Sequence, residues 1–436
     1  MFKTRTHDST HIAGHYLCGL MQSQRRNMER MEEVVPESDY EALQHFISGS
    51  PWDERPVFDE VARQVDALLG GMPISALLID ETSFAKKGTR SVGVAHQYSG
   101  RWGQTTNCQV AVYAALSAGD AGSLVDMRLF LPDEWIADTA RCDRAGIPEN
   151  RRVAWTKIEL AEAIIRHQIR LGTRFTHVVA DALYGASLPS RNRLDDMGLK
   201  YVVGVRSNQR IYLQHPQPAV PEKTPGPGRK PRKRRTDQAP LRASDYVASL
   251  TAEDWQRHHL RDGAKGPLVV DLHARRVWTW DGESADVREV WLLLRRDLNG
   301  DLRYALSNES ADTPLLRLGQ IHAQRHWIER QFQDAKQDAG MGDYQVRGWR
   351  AWHHHMAMVL IAMLFLLRQR QLHRDEIPLL STHDIRTMLA HFLPRKNADS
   401  ATILDQLERR HAARQADIDR ATAKSRRRHK LTLPGP

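Results

Sequence analysis

Ala76-Leu77-Leu78-Ile79-Asp80 and Val178-Val179-Ala180-Asp181 are the two stretches whose reading decides the fold. Each is a short apolar run that stops on an aspartate. A run of that length reads as a strand buried in an α/β sheet. An aspartate at the C-terminal end of such a strand stands at the rim of the sheet, where a ligand can reach it. Taken alone, each aspartate also suits the start of a turn. If the two strands are neighbours, their carboxylates repel unless a cation lies between them, and oxygen ligands of this kind suit Mg²⁺ or Mn²⁺.

Outward from these runs, residues 92–98, 107–116 and 124–131 read as further strands, with a Gly-Gln-rich hairpin between 98 and 107. Residues 157–171 carry apolar positions at helical spacing, and 189–197 form a helix with Pro189 in its first turn. A strand at 201–205 follows. Strands, helix, strand, helix, strand is the order of an α/β layer around one sheet. Ahead of it, 40–47 and 55–69 read as helices separated by Ser48-Gly49-Ser50-Pro51. Residues 214–240 are rich in Pro and Gly and read as a flexible loop. Strands at 269–272, 276–280, 289–295 and 302–307 make a β-rich insertion. One long helix is predicted over 314–339, an apolar helix over 352–372, and a charged helical region to the end.

The composition bounds the partners. The chain has 436 residues, 41% hydrophobic and 27% charged, which excludes a wholly disordered polymer. Its length suits roughly two to three domains. The longest apolar run, 356–367, is shorter than the about 20 residues a membrane span needs, so a buried helix is predicted there and no membrane partner. No apolar core opens the chain, so no signal peptide is expected. Cys18, Cys108 and Cys142 are scattered, which fits a reducing cytosol. Lys and Arg number 63 against 53 Asp and Glu, a net charge of +10. Arg229-Lys230-Pro231-Arg232-Lys233-Arg234-Arg235 and Arg426-Arg427-Arg428-His429-Lys430 concentrate that charge. Each run alone also suits a solvated loop or tail. With the net charge they make nucleic acid the leading partner.

The long helix offers a third carboxylate. At about 100° per residue, His322, Arg325, Glu329 and Lys336 fall within a stripe of roughly 60°. Ile321, Ile328, Phe332 and Ala335 lie beside it and are expected to bury the helix on the sheet. Arg325 and Glu329 also suit an ordinary i,i+4 ion pair.

Arg325-x₃-Glu329-x₆-Lys336 resembles the Tyr-x₂-Arg-x₃-Glu-x₆-Lys signature of the insertion-sequence-4 superfamily of bacterial transposases, with His322 in place of the tyrosine. The run from Leu78 through Gly88, with Ser91-Val92-Gly93-Val94-Ala95 after it, resembles the insertion-sequence-701-like branch of that superfamily. So do Asn107-Cys108-Gln109-Val110-Ala111-Val112, Asp181-Ala182-Leu183-Tyr184-Gly185 and Trp349-Arg350-Ala351-Trp352-His353-His354-His355. The resemblance covers about residues 25–370.

It implies a ribonuclease-H-like mixed sheet with a β-rich insertion, an N-terminal helical module and a C-terminal helical region. It implies a DDE triad of Asp80, Asp181 and Glu329, catalytic and metal-binding, holding two Mg²⁺ ions with Mn²⁺ as substitute. One ion would activate water or a 3′-OH and the other would stabilise the leaving oxygen. Arg325 and Lys336 would contact DNA phosphate. The implied activity is that of a DDE transposase: metal-dependent cleavage of double-stranded DNA at the element's ends and strand transfer into target DNA. A homodimer would bring the two ends together in the bacterial cytoplasm, on the nucleoid. Two other readings stay open: a catalytically inactive DNA-binding derivative, and a ribonuclease-H-like nuclease without strand transfer. The organisation expected is a helical DNA-binding module at 1–72, core at 73–213, basic loop and insertion at 214–312, last core helices at 313–372 and a basic helical region at 373–436.

Four further groups of residues have two readings each. Tyr184 suits a DNA contact or a cap on the strand end. Trp278, Trp280 and Trp291 suit core packing or, as in related transposases, stacking on a base. His353, His354 and His355 point in different directions on a helix and cannot all hold one ion, so packing or a DNA contact is expected. Lys86 and Lys87 suit a phosphate track or a solvated turn.

Overall fold

The computed structural model describes residues 1–3, 8–100, 102–222, 231–263 and 266–429, with side chains in the last helix through 426. Part of each basic run, including Arg229, Lys230 and Lys430, lies outside the described residues, as do the side chains of Arg427 and Arg428.

Four helices open the chain: α1 (Thr10–Gln22), α2 (Met28–Val34), α3 (Tyr40–Ser48) and α4 (Glu54–Leu69). Asn27, Asp39 and Asp53 cap three of them by accepting a backbone N–H. Next come β1 (Ser75–Ala85), β2 (Ala95–Ser99), β3 (Gln104–Ala118) and β4 (Ala121–Leu129). Two short helices not foreseen from the sequence, α5 (Asp133–Ile136) and α6 (Thr139–Ala145), lead to α7 (Lys157–Leu171). Helix α7 is set by a Thr156–Glu159 capping box and stopped at Gly172, whose φ is 81°. Then follow β5 (His177–Ala180), α8 (Ala182–Gly185), α9 (Leu188–Asp196) and β6 (Lys200–Val205).

The sheet is built outward from β1. Strand β3 pairs antiparallel on one side of it and continues to β4. Strand β5 pairs parallel on the other side and β6 lies parallel beyond it. That is the ribonuclease-H arrangement. Strand β1 does not stop at Asp80 as predicted. It runs on to Ala85, paired with β3 alone, because β5 ends at Ala180 and leaves the second half of β1 open on that side.

The next elements are β7 (Arg210–Ile211), β8 (Leu241–Arg242), α10 (Ala243–Ala248), β9 (Gln256–Arg261), β10 (Leu268–Trp280), β11 (Val287–Asp297) and β12 (Leu302–Ser307). The insertion strands extend the central sheet: β12 pairs with β6, then β11, β10 and β9 follow. The segments predicted separately at 269–272 and 276–280 are one strand, β10. The described flanks of the Pro- and Gly-rich loop pair with each other, Ala219 exchanging both backbone hydrogen bonds with Arg235.

The helix predicted over 314–339 is two, α11 (Leu315–Ala323) and α12 (His326–Gln337). Between them the N–H groups of Gln324, Arg325 and Trp327 bond three residues back. The turn is tightened to 3₁₀ spacing, and Gln324 is held there by Ser117 and the Gly119 carbonyl. The predicted packing residues Ile321, Ile328, Phe332 and Ala335 are buried.

Helix α13 (Trp349–Leu372) is followed by α14 (Thr382–Phe392) and α15 (Ser400–His429). By length and composition α13 could cross a membrane, yet 83% of its most apolar window is buried inside the protein. It packs on β4, α3 and α4. The three histidines at its start are part of that packing. His354 stacks on Trp52 at 3.6 Å, its ring nitrogens 2.9 Å and 2.8 Å from the Ile47 and Trp52 carbonyls. Tyr16 meets His355 Nδ1 at 2.8 Å. Helices α1–α4 therefore share one core with the sheet and α13.

Candidate active site

Ile79 pairs in register with Ala180 across parallel β1 and β5. Asp80 and Asp181 are the next residues of their chains, side by side where β5 ends. Strand alternation turns Asp80, Thr82 and Phe84 toward α12, whose Lys336 donates to Thr82 Oγ1 at 2.6 Å and lies over the Phe84 ring at 5.4 Å. Ile79 faces the other way, onto Ala161 and Ile165 of α7.

Asp181 also caps α8, accepting the Leu183 N–H at 2.9 Å. That short helix sits tight on the sheet: a Cβ at Gly185 would fall 1.9 Å from the Gly204 carbonyl oxygen of β6. Arg191, buried, donates to the Gly185 carbonyl and secures the same turn. The glycine of the Asp-x₃-Gly run is thus a close-approach position that fixes where Asp181 stands.

Burial, reinforced by the charge of Asp181 and opposed by Arg325, pushes the Asp80 carboxyl up to about 8. Burial and the charge of Glu81 raise Asp181 as well. Two buried carboxylates with raised affinity for protons are a pair short of positive charge.

All five predicted residues, Asp80, Asp181, Arg325, Glu329 and Lys336, line one cleft of ≈ 1070 Å³. They are not equally close. Arg325 pairs with Glu329 at 2.9 Å and stands 3.9 Å from Asp80, so the guanidinium separates the third acid from the first. Glu329 is 52% exposed. Among the described residues, no three His, Cys, Asp or Glu side chains are grouped tightly enough to hold a metal ion. The oxygen donors of Asp80 and Asp181 fit a hard divalent cation in type, adjacency and uncompensated charge.

His322 leaves the predicted stripe. It is buried, with Nδ1 unpartnered, and lines a neighbouring cleft with Asp181 and Arg325. Burial and nearby arginines push it down to about 3, so it carries no charge. His322 belongs to α11, and the tightened turn at Gln324 and Arg325 separates that helix from α12, which carries Glu329 and Lys336.

Glu81 is the site residue the sequence reading did not single out. It accepts from Lys157 Nζ at 3.0 Å and from the Tyr184 hydroxyl at 2.8 Å. The link ties β1, α7 and α8 around the paired aspartates, and it gives Tyr184 its partner. The one local signal was an acid directly after the first aspartate; its lysine partner opens α7, 76 residues on. Trp278 and Trp280 are half-buried, opposite the core residues Val277 and Thr279, against His215 and Tyr212.

An acidic pair at the break between β1 and β5 of a ribonuclease-H-like sheet defines a class of polynucleotide-cutting proteins. The chain matches the family model described as DDE superfamily endonuclease over residues 2–267, and it belongs to that family. It is similar to the probable transposase for insertion sequence element IS701 of Microchaete diplosiphon, 26% identical over 329 residues, covering 74% of this chain and 73% of that protein. The family match includes Asp80 and Asp181 and ends before Glu329.

Proposed function

We propose that this chain is an insertion-sequence transposase that cleaves double-stranded DNA at the ends of its element and joins those ends to target DNA. The observation that carries the reading is the register of β1 and β5, which sets Asp80 beside Asp181 with too little positive charge between them. In this reading Asp80, Asp181 and Glu329 hold two Mg²⁺ ions, replaceable by Mn²⁺. When bound, the ions supply activation of water or a 3′-OH and neutralisation of the leaving oxygen. Asp80 and Asp181 anchor them from the rigid sheet. Glu329 contributes from α12 once Arg325 turns from it to DNA phosphate. Arg325 Nε is buried without a partner, which suits a guanidinium with donors in reserve. Lys336, held by Thr82, supplies a point charge at the far end of the same cleft. Two copies would bring two ends together, in the bacterial cytoplasm on the nucleoid.

Purified protein incubated with Mg²⁺ and the DNA flanking its own gene, with every nick mapped, tests this. Asp80→Ala should lower cleavage at least about 10³-fold while end binding stays within about threefold. Survival of Mg²⁺-dependent cleavage in that variant overturns the site. Nicking without joined products leaves a nuclease.

A further inference from the structure

A second groove, ≈ 1490 Å³, opens beyond the far end of β1. It shares no residue with the cleft of Asp80, Asp181 and Glu329, and it holds Lys86 and Lys87, which suit a phosphate track. Its walls are the β1–β2 loop, α6, the turn before α13, α3 and α15. Lys87, Arg90, Arg144, Arg347, Arg350 and Lys424 line it, and none of the six forms an ion pair with an acid among the described residues. The two acids in its wall are already engaged, Asp143 by Arg152 at 2.7 Å and Asp417 by Arg420 at 2.6 Å. Gly348, which precedes the 24-residue α13, also lines it without a side-chain cap, so the positive end of that helix adds to the field.

Six cations without an acid partner in one trough are held together against their mutual repulsion, and a polyanion removes that cost. The trough opens where β1 ends: that strand stops at Ala85, and Lys86 and Lys87 are the first lining residues beyond it. Lys87 is seven residues beyond Asp80, five of them on the strand, so it stands at most roughly 23 Å away, or about seven base pairs of B-DNA. We propose that this groove binds the phosphate backbone of duplex DNA within about seven base pairs of the phosphate held at Asp80 and Asp181. This rests on the cleavage reading for its register; the groove's charge does not depend on it. Of the aromatics in its wall, Tyr344 is buried under Lys86 and Trp349 packs on His353, which leaves Tyr40 as the exposed ring, so the cations suit a continuous duplex backbone better than stacked single strands.

The test uses full-length protein and hairpin-capped duplexes of its own gene's flanking DNA, ending about 5 or about 20 base pairs from the cut. Binding is measured by fluorescence anisotropy across a salt series. Wild-type protein should bind the long duplex at least tenfold tighter. The triple variant Lys87→Glu, Arg90→Glu, Arg347→Glu should lose that advantage. The slope of log K against log salt should fall by about 0.9 for each contact removed. Its cleavage of the short duplex should be unchanged. Arg144→Glu with Lys424→Glu, on other elements, should repeat the loss, and unchanged Tm for both variants separates it from unfolding. A long-duplex advantage and salt slope kept by both variants overturn the groove, as does a loss confined to single-stranded DNA. If wild-type protein cuts neither duplex but the variants still lose long-duplex binding, the cleavage reading fails and the groove stands.

Discussion

Asp80 behaves as a carboxyl in need of a cation. Its folded-state pKa, about 8, lies above the unfolded value of 3.8. A group raised in this way stabilises the fold fully below about pH 4 and loses that contribution as the pH rises through about 8. In chelator, Asp80→Asn should therefore raise Tm by about 2 °C or more at pH 8–9, with little change near pH 4. Mg²⁺ should raise the Tm of wild-type protein and leave that of the variant nearly unmoved. Calorimetry at two pH values, with and without the ion, checks both; a variant that gains equally at both pH values removes the case for an uncompensated charge. The pairing of Asp80 with Asp181 was legible because each ends a short apolar run of the kind that makes a buried strand, and neighbouring strands bring their ends together. The role of Glu81 was not, because its partners, Lys157 and Tyr184, lie 76 and 103 residues away.

Among helices and strands, two glycines separate a contact from a propensity. Gly185 has no room for a Cβ beneath the Gly204 carbonyl. Gly185→Ala should cost about 2 kcal/mol or more, because backbone meets backbone and neither can yield. Gly14, inside α1, would place a Cβ in open space, and Gly14→Ala should stabilise by about 0.5–1 kcal/mol. Urea denaturation of the pair measures both; equal effects would mean that α8 is not seated as described. Helix and strand positions followed the apolar periodicity in most of the chain. The exceptions share a cause. The split of the helix predicted over 314–339 comes from Ser117 and Gly119 holding Gln324, a contact across more than 200 residues that no local pattern encodes.

Across the whole chain, the N-terminal helices and the sheet are joined by a buried charge network. Asp126 of β4, 0% exposed, accepts from Arg55 of α4 at 2.8 Å and from Arg128 at 2.7 Å, and Gln168 of α7 donates to its other oxygen at 3.3 Å. Those arginines hold its carboxyl below the usual carboxylate range despite burial. Asp126→Ala should destabilise by about 3 kcal/mol, since it strands paired cations at a buried seam. Denaturant unfolding should remain a single transition with α1–α4 and the sheet melting together. Separate transitions for the two, followed by tryptophan fluorescence and far-ultraviolet circular dichroism, would contradict the shared core.

What could be read along the chain was what short-range physics writes there: the apolar runs that make strands, the caps and breakers that bound helices, the spacing from Arg325 to Lys336, and the excess of positive charge. What required the folded molecule was everything set by partners distant in sequence. The register that sets Asp80 against Asp181, the guanidinium between Asp80 and Glu329, the burial of His322 and the gathering of unpaired cations into one groove depend on which surfaces meet. Hydrophobic periodicity specifies that a face is buried but carries no record of what it is buried against.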